Sequence, residues 1–134
     1  MRTIRGSLVV LLFYSLVVFV SPDFAQGNNS GFVLPPDPGK AGKVTLLGID
    51  TDGDGVRDDI QRYIYFTYPD DKKLRLGLTY YAIEFQGVLK DANDREAAYD
   101  HANKMARHGE CLWYLKGEES IDICNALRAK ILNT

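Results

Sequence analysis

Asp50, Asp52, Asp54, Asp58 and Asp59 place five carboxylates within ten residues, interleaved with Gly53 and Gly55. Anions this close repel one another unless a positive charge sits among them. A hard divalent cation with oxygen ligands meets that need, and the spacing suits calcium. In a calcium loop, aspartates at positions 1, 3 and 5 turn their carboxylates inward, a glycine at position 6 permits a sharp turn, and the carbonyl at position 7 adds an oxygen. Counted from Asp50, those roles fall on Asp50, Asp52, Asp54, Gly55 and the backbone of Val56, with Asp58 at position 9 and Gln61 at position 12. The same residues also read as an Asx/Gly turn running into an acidic helix N-terminus, with no metal.

The rest of the chain offers little other chemistry. His101 and His108 are seven residues apart, about 10.5 Å along a helix, too far for shared ligation of a metal. Glu84 falls off the apolar stripe of its segment and reads as solvated. The serine, zinc and phosphate-loop signatures of common enzymes are missing, so the expectation is a protein that is not an enzyme; a small hydrolase using Glu84 or one of the histidines is the remote alternative. Tyr63, Tyr65, Tyr68 and Tyr80 crowd one stretch of the sequence. Tyr63 and Tyr65 diverge on a helix, so one of them can belong to an exposed patch for a protein or glycan partner. The plainer reading is tyrosines at the margin of a small core with their hydroxyls in water.

Asp-Thr-Asp-Gly-Asp-Gly-Val-Arg-Asp, residues 50–58, resembles a bacterial thrombospondin type 3 repeat, and its first half is similar to EF-hand and dockerin loops. The resemblance spans about a dozen residues and implies calcium binding by them, with no statement about the helices. The longer string from Leu46 to Ile64 is similar to small exported bacterial proteins of unassigned activity. Three departures stand out. Gln61 replaces the acid expected at position 12, Arg57 stands at position 8 where EF-hands place an apolar residue, and no amphipathic helix precedes Asp50. The loop is therefore single and unpaired, with the weak affinity of extracellular modules, Kd about 10⁻⁴–10⁻³ M.

These residues must be positioned by a small fold. The chain has 134 residues, 46% hydrophobic and 25% charged, with a net charge of −2. That excludes a doubly wound nucleotide-binding enzyme or a (β/α)₈ barrel by size, and argues against nucleic acid as partner for want of basic excess. Residues 1–25 read as a signal peptide: Arg2 and Arg5 precede a 13-residue apolar run, Leu8–Val20, shorter than the roughly 20 residues a membrane span needs. Cleavage after Ala25 leaves no stable membrane span and a periplasmic or secreted protein; retention as an anchor is the alternative. Residues 26–43, rich in proline and glycine, read as a flexible linker.

Residues 44–134 carry helical periodicity with no long strand-like alternation, which predicts an all-α domain of about four helices in a small bundle, preceded by the calcium-loop turn at 50–61. The first helix follows Asp58 and Asp59 and stops at Tyr68-Pro69. The second, capped by Asp70 or Asp71, carries Leu74, Leu78, Tyr81, Phe85, Val88 and Leu89. Asn93 and Glu96 open a third, with Ala98, Ala102, Met105, Leu112 and Trp113 on one face. Ser120 opens a fourth, with Ile121, Cys124, Leu127 and Ile131 inward. Cys111 and Cys124 lie equidistant from the turn joining these last two helices, which predicts a disulfide between them; two free buried thiols are the alternative. The functional expectation is an exported domain with calcium as a structural clip, acting by binding or assembly. A metal-independent inhibitor or adaptor using the tyrosines is the runner-up.

Overall fold

A computed structural model describes residues 33–133. The expected signal segment, 1–25, and the first part of the expected linker, 26–32, lie outside the described residues. The fold is all-α: α1 (Asp58–Thr67), α2 (Lys72–Lys90), α3 (Arg95–Lys116) and α4 (Glu119–Leu132), with a short 3₁₀ turn at Gly39–Lys43. No helix among the described residues is long and apolar enough to cross a membrane.

Local chemistry sets the boundaries. Asp71 caps α2 by accepting from the Leu74 amide at 2.9 Å, filling one of the donors a helix N-terminus leaves free. That bond, with the Lys116 ammonium 2.9 Å away, holds the Asp71 carboxyl below the usual carboxylate range. Asp94, one residue after the expected Asn93, caps α3 through the amides of Glu96 and Ala97. Gly117 ends α3 with φ at 59°. Ser120 lies inside α4, its hydroxyl donating to the Gly117 carbonyl at 2.6 Å.

The core joins all four helices: Ile60 and Ile64 from α1, Leu74, Leu78, Tyr81 and Ala82 from α2, Leu112 from α3, and Ile123, Cys124, Leu127 and Ile131 from α4. Burying such side chains contributes about 1.5–3 kcal/mol each. Cys124, Leu127 and Ile131 of α4 face inward as expected, whereas Ile121 is half exposed and Ile123 is buried in its place. The α3 face is thin, with Leu112 its one fully buried side chain and Trp113 half exposed.

The expected disulfide is corrected: Cys111 and Cys124 are free thiols, Cys111 exposed and Cys124 buried. Distance from the turn fixes only the height of a residue along a helical hairpin; its rotation about the axis is a separate variable. Met105, Gly109 and Trp113 face the cleft that Cys124 lines. Cys111, two residues from Gly109 and from Trp113, is turned about 200° away from both. Burial pushes the Cys124 thiol above its ordinary pKa, which leaves it protonated and unreactive.

The described part of the expected linker, 33–43, is docked on the helices. Pro35 is buried, and its carbonyl accepts from Arg62 Nη1 at 2.9 Å. The 3₁₀ turn packs against α1 and buries Gly42.

Candidate metal centre

The aspartate loop closes directly onto the first turn of α1. Asp50 accepts from the amides of Gly53 at 2.8 Å and Gly55 at 3.0 Å, which folds the loop back on itself. Gly55 sits at φ 89°, a conformation that side chains with a Cβ rarely adopt. Asp58 reaches back from the helix, accepting from the Thr51 amide at 2.8 Å and the Thr51 hydroxyl at 2.5 Å. Its own amide donates to the Ile49 carbonyl at 2.8 Å. Asp58 is 1% exposed, so its charge sits at the positive end of α1 with little solvent around it.

These bonds bring one oxygen each of Asp50, Asp52 and Asp58 within 4.8 Å of one another. Ligands at about 2.3–2.6 Å from one calcium ion lie at most about 4.6–5.2 Å apart, so the pairwise separations are compatible with one shared ion. The triad can hold a metal ion. Asp54 stands beside it: one oxygen accepts from the Val56 amide at 2.8 Å and the other from Gln61 Nε2 at 2.5 Å. Partial burial raises the Asp54 carboxyl above the usual carboxylate range, and the charges of Asp52 and Asp50 push the same way, against the Val56 amide bond.

Gln61 is 3% exposed. Its Nε2 also lies 3.3 Å from Asp52, while Oε1 is buried without a hydrogen-bond partner. An orphaned buried acceptor costs about 1–3 kcal/mol. Turning the carboxamide by 180° exchanges nitrogen and oxygen and presents Oε1 to the carboxylates' side, where only a cation welcomes it. Val56, the position-7 residue, is fully buried.

Arg57 is the residue that sequence reasoning passed over as a mere departure. It is 0% exposed. Its guanidinium grips Asp59 with two bonds of 2.9 and 2.8 Å, and Nη1 donates to the carbonyls of Leu46 at 3.1 Å and Ile131 at 2.9 Å. Its amide donates to Gln86 of α2 at 2.9 Å. One side chain thereby ties the segment that leads into the loop, α1 and the C-terminal end of α4, whose last carbonyls favour a cation. A Cβ on Gly48 would lie 2.5 Å from Arg57 Cδ and 2.5 Å from the Gly42 carbonyl oxygen. The available signal was position 8 itself, a buried place in related loops, followed two residues later by an acid.

No match was found among protein-family models, curated proteins or solved structures.

The other candidates lie apart from the triad. Glu84, expected to be solvated, is largely buried and bonds His101 Nδ1 at 2.6 Å, while Nε2 of the same ring faces Asp91 at 3.2 Å. With both ring nitrogens held, His101 clamps α3 to α2. The tyrosines are engaged singly. The Lys130 ammonium lies 5.4 Å from the Tyr63 ring centre and the Arg75 guanidinium 5.1 Å from that of Tyr65. Tyr68 is half-buried, and burial raises its hydroxyl pKa. Tyr80 stacks on His108 at 5.4 Å.

Proposed function

We propose that Asp50, Asp52 and Asp58, joined by the Gln61 side-chain oxygen and the Val56 carbonyl, bind one calcium ion as a structural clip, in an exported domain that acts by binding or assembly. The observation that carries this reading is the convergence of three carboxylates within 4.8 Å of one another, with a buried Gln61 whose side-chain oxygen has no partner and whose nitrogen bonds Asp52 and Asp54. Oxygen-only donors and a flexible loop suit calcium better than zinc, which favours nitrogen and sulfur, or magnesium, which demands near-ideal octahedral geometry. The ion would offset the repulsion among the aspartates and fix the loop to α1. At about 1 mM calcium and Kd about 0.1 mM, binding stabilises the fold by roughly 1.4 kcal/mol, a magnitude suited to a clip.

Calorimetric titration of the protein with calcium tests this. The expected result is one saturable site with Kd about 10⁻⁴–10⁻³ M, abolished in Asp50→Asn/Asp52→Asn. Gln61→Glu, which adds a charge at position 12, should tighten binding on the order of tenfold. No heat and no rise in melting temperature up to about 10 mM calcium, well above that range, overturns the reading. Binding that Gln61→Glu leaves unchanged would remove Gln61 from the ligand set.

A further inference from the structure

On the outer seam of α2 and α3, away from the aspartate loop, Lys73, Leu76, Glu110, Cys111, Tyr114 and Leu115 line a shallow groove of about 450 Å³. Its apolar members face solvent: Tyr114 is 90% exposed, Leu76 57% and Leu115 39%. Adjoining apolar side chains on neighbouring helices form a patch, which in soluble proteins marks an interaction site more often than isolated exposed residues do. Lys73 and Glu110 bring one charge of each sign to the groove, and neither is in an ion pair among the described residues. The nearest ion pair on this seam, Asp71 with Lys116, uses other residues.

We propose that this groove is one half of a twofold interface whose occupant is a second copy of this chain. A patch carrying one sign of charge calls for a partner of the opposite sign. A patch carrying both signs beside an apolar centre is complementary to itself under a twofold axis, because each residue i then meets j and each j meets i. Lys73 of each copy pairs with Glu110 of the other, while Tyr114, Leu76 and Leu115 leave water against their counterparts. Aromatic anchors of this kind carry much of the energy of an interface, and the charge pairs set its register. Cys111, exposed and in the lining of the same groove, is covered by the second copy in this arrangement and reports on its proximity.

Sedimentation of the reduced protein from about 1 µM to 1 mM reads the association directly. The expected result is a monomer–dimer equilibrium that Tyr114→Asp weakens about tenfold or more; at a 90% exposed position this change leaves the melting temperature of the dilute, monomeric protein unaltered. Lys73→Glu and Glu110→Lys should each weaken the dimer. Mixing these two variants should restore it, since in the mixed pair both cross-contacts again join opposite charges. Oxidised glutathione then reports proximity. One Cys111 thiolate attacks it and releases one glutathione, the second copy's Cys111 displaces the other, and two protein thiols are oxidised as one glutathione disulfide becomes two thiols. Cys111→Ser should abolish this cross-link while the reduced dimer persists. A protein that stays monomeric throughout, a dimer indifferent to Tyr114→Asp, a mixture that regains nothing, or a groove found occupied by another macromolecule would each overturn the proposal.

Discussion

The two ends of this small fold are held by different physics. Along the α2–α3 hairpin the contacts are apolar and periodic: Leu78 and Leu112 are fully buried in the common core, and cross-helix bonds such as Glu84–His101 lie at its margin. At the aspartate loop the contacts are polar and span long stretches of sequence: Arg57 bonds residues 29 and 74 positions away. Apolar packing is tolerant, since several side chains share each residue's burial. A buried guanidinium is unforgiving, because every donor needs a partner and each partner is left exposed to the loss. The hairpin thus supplies bulk stability, and the loop end supplies a geometry that is right or absent.

Substitutions should separate the two ends. Arg57→Met leaves Asp59 and two carbonyls without their donor and should cost about 3–5 kcal/mol in urea unfolding, close to the whole stability of a small domain. A midpoint near that of the unmodified protein would show that the guanidinium contributes little. Leu112→Ala, in the hairpin, should cost about 2–4 kcal/mol while leaving the calcium affinity of the folded protein as it was. A joint loss of both would mean that the two regions are one cooperative site.

The response to pH is smaller, and at the loop end it runs through Asp54. The Asp54 carboxyl is raised in the folded protein, so its protonated form favours folding. Stability is then lost as pH rises above the unfolded value and through the folded one. If calcium binds as proposed it takes over the proton's role, and the gain in melting temperature on adding calcium should grow as pH rises through the Asp54 titration and level off above it. A gain independent of pH across that interval would detach Asp54 from the site. Smallest of all, Glu84→Gln keeps a hydrogen bond to His101 but removes the charge, and should cost under about 1 kcal/mol with no change in calcium binding.

The periodic end was legible in the sequence. Leu74, Leu78 and Tyr81 repeat at helical spacing, and Asp71 is a good cap, so the four helices could be read from local rules. The aspartate loop was legible in part, because Asp50 and Asp58 are held by bonds to Gly53, Gly55 and Thr51, all within a few residues. What escaped depended on rotation or on distance along the chain. Cys111 has the right height and the wrong azimuth for Cys124. Ile121 and Ile123 compete for one face of α4, and only the neighbouring helices decide between them. The burial of Arg57 depends on a carbonyl at residue 131, which no local pattern near position 57 announces.

That last bond has a consequence for the order of assembly. A chain is made from its N-terminus at about 5–20 residues per second, and the Ile131 carbonyl lies 74 positions after Arg57. Arg57 is therefore synthesised roughly 4–15 s before its final partner exists. Until residue 131 is present its guanidinium has only Asp59 and the Leu46 carbonyl as partners, and the last turn of α4 supplies the bond that completes the set.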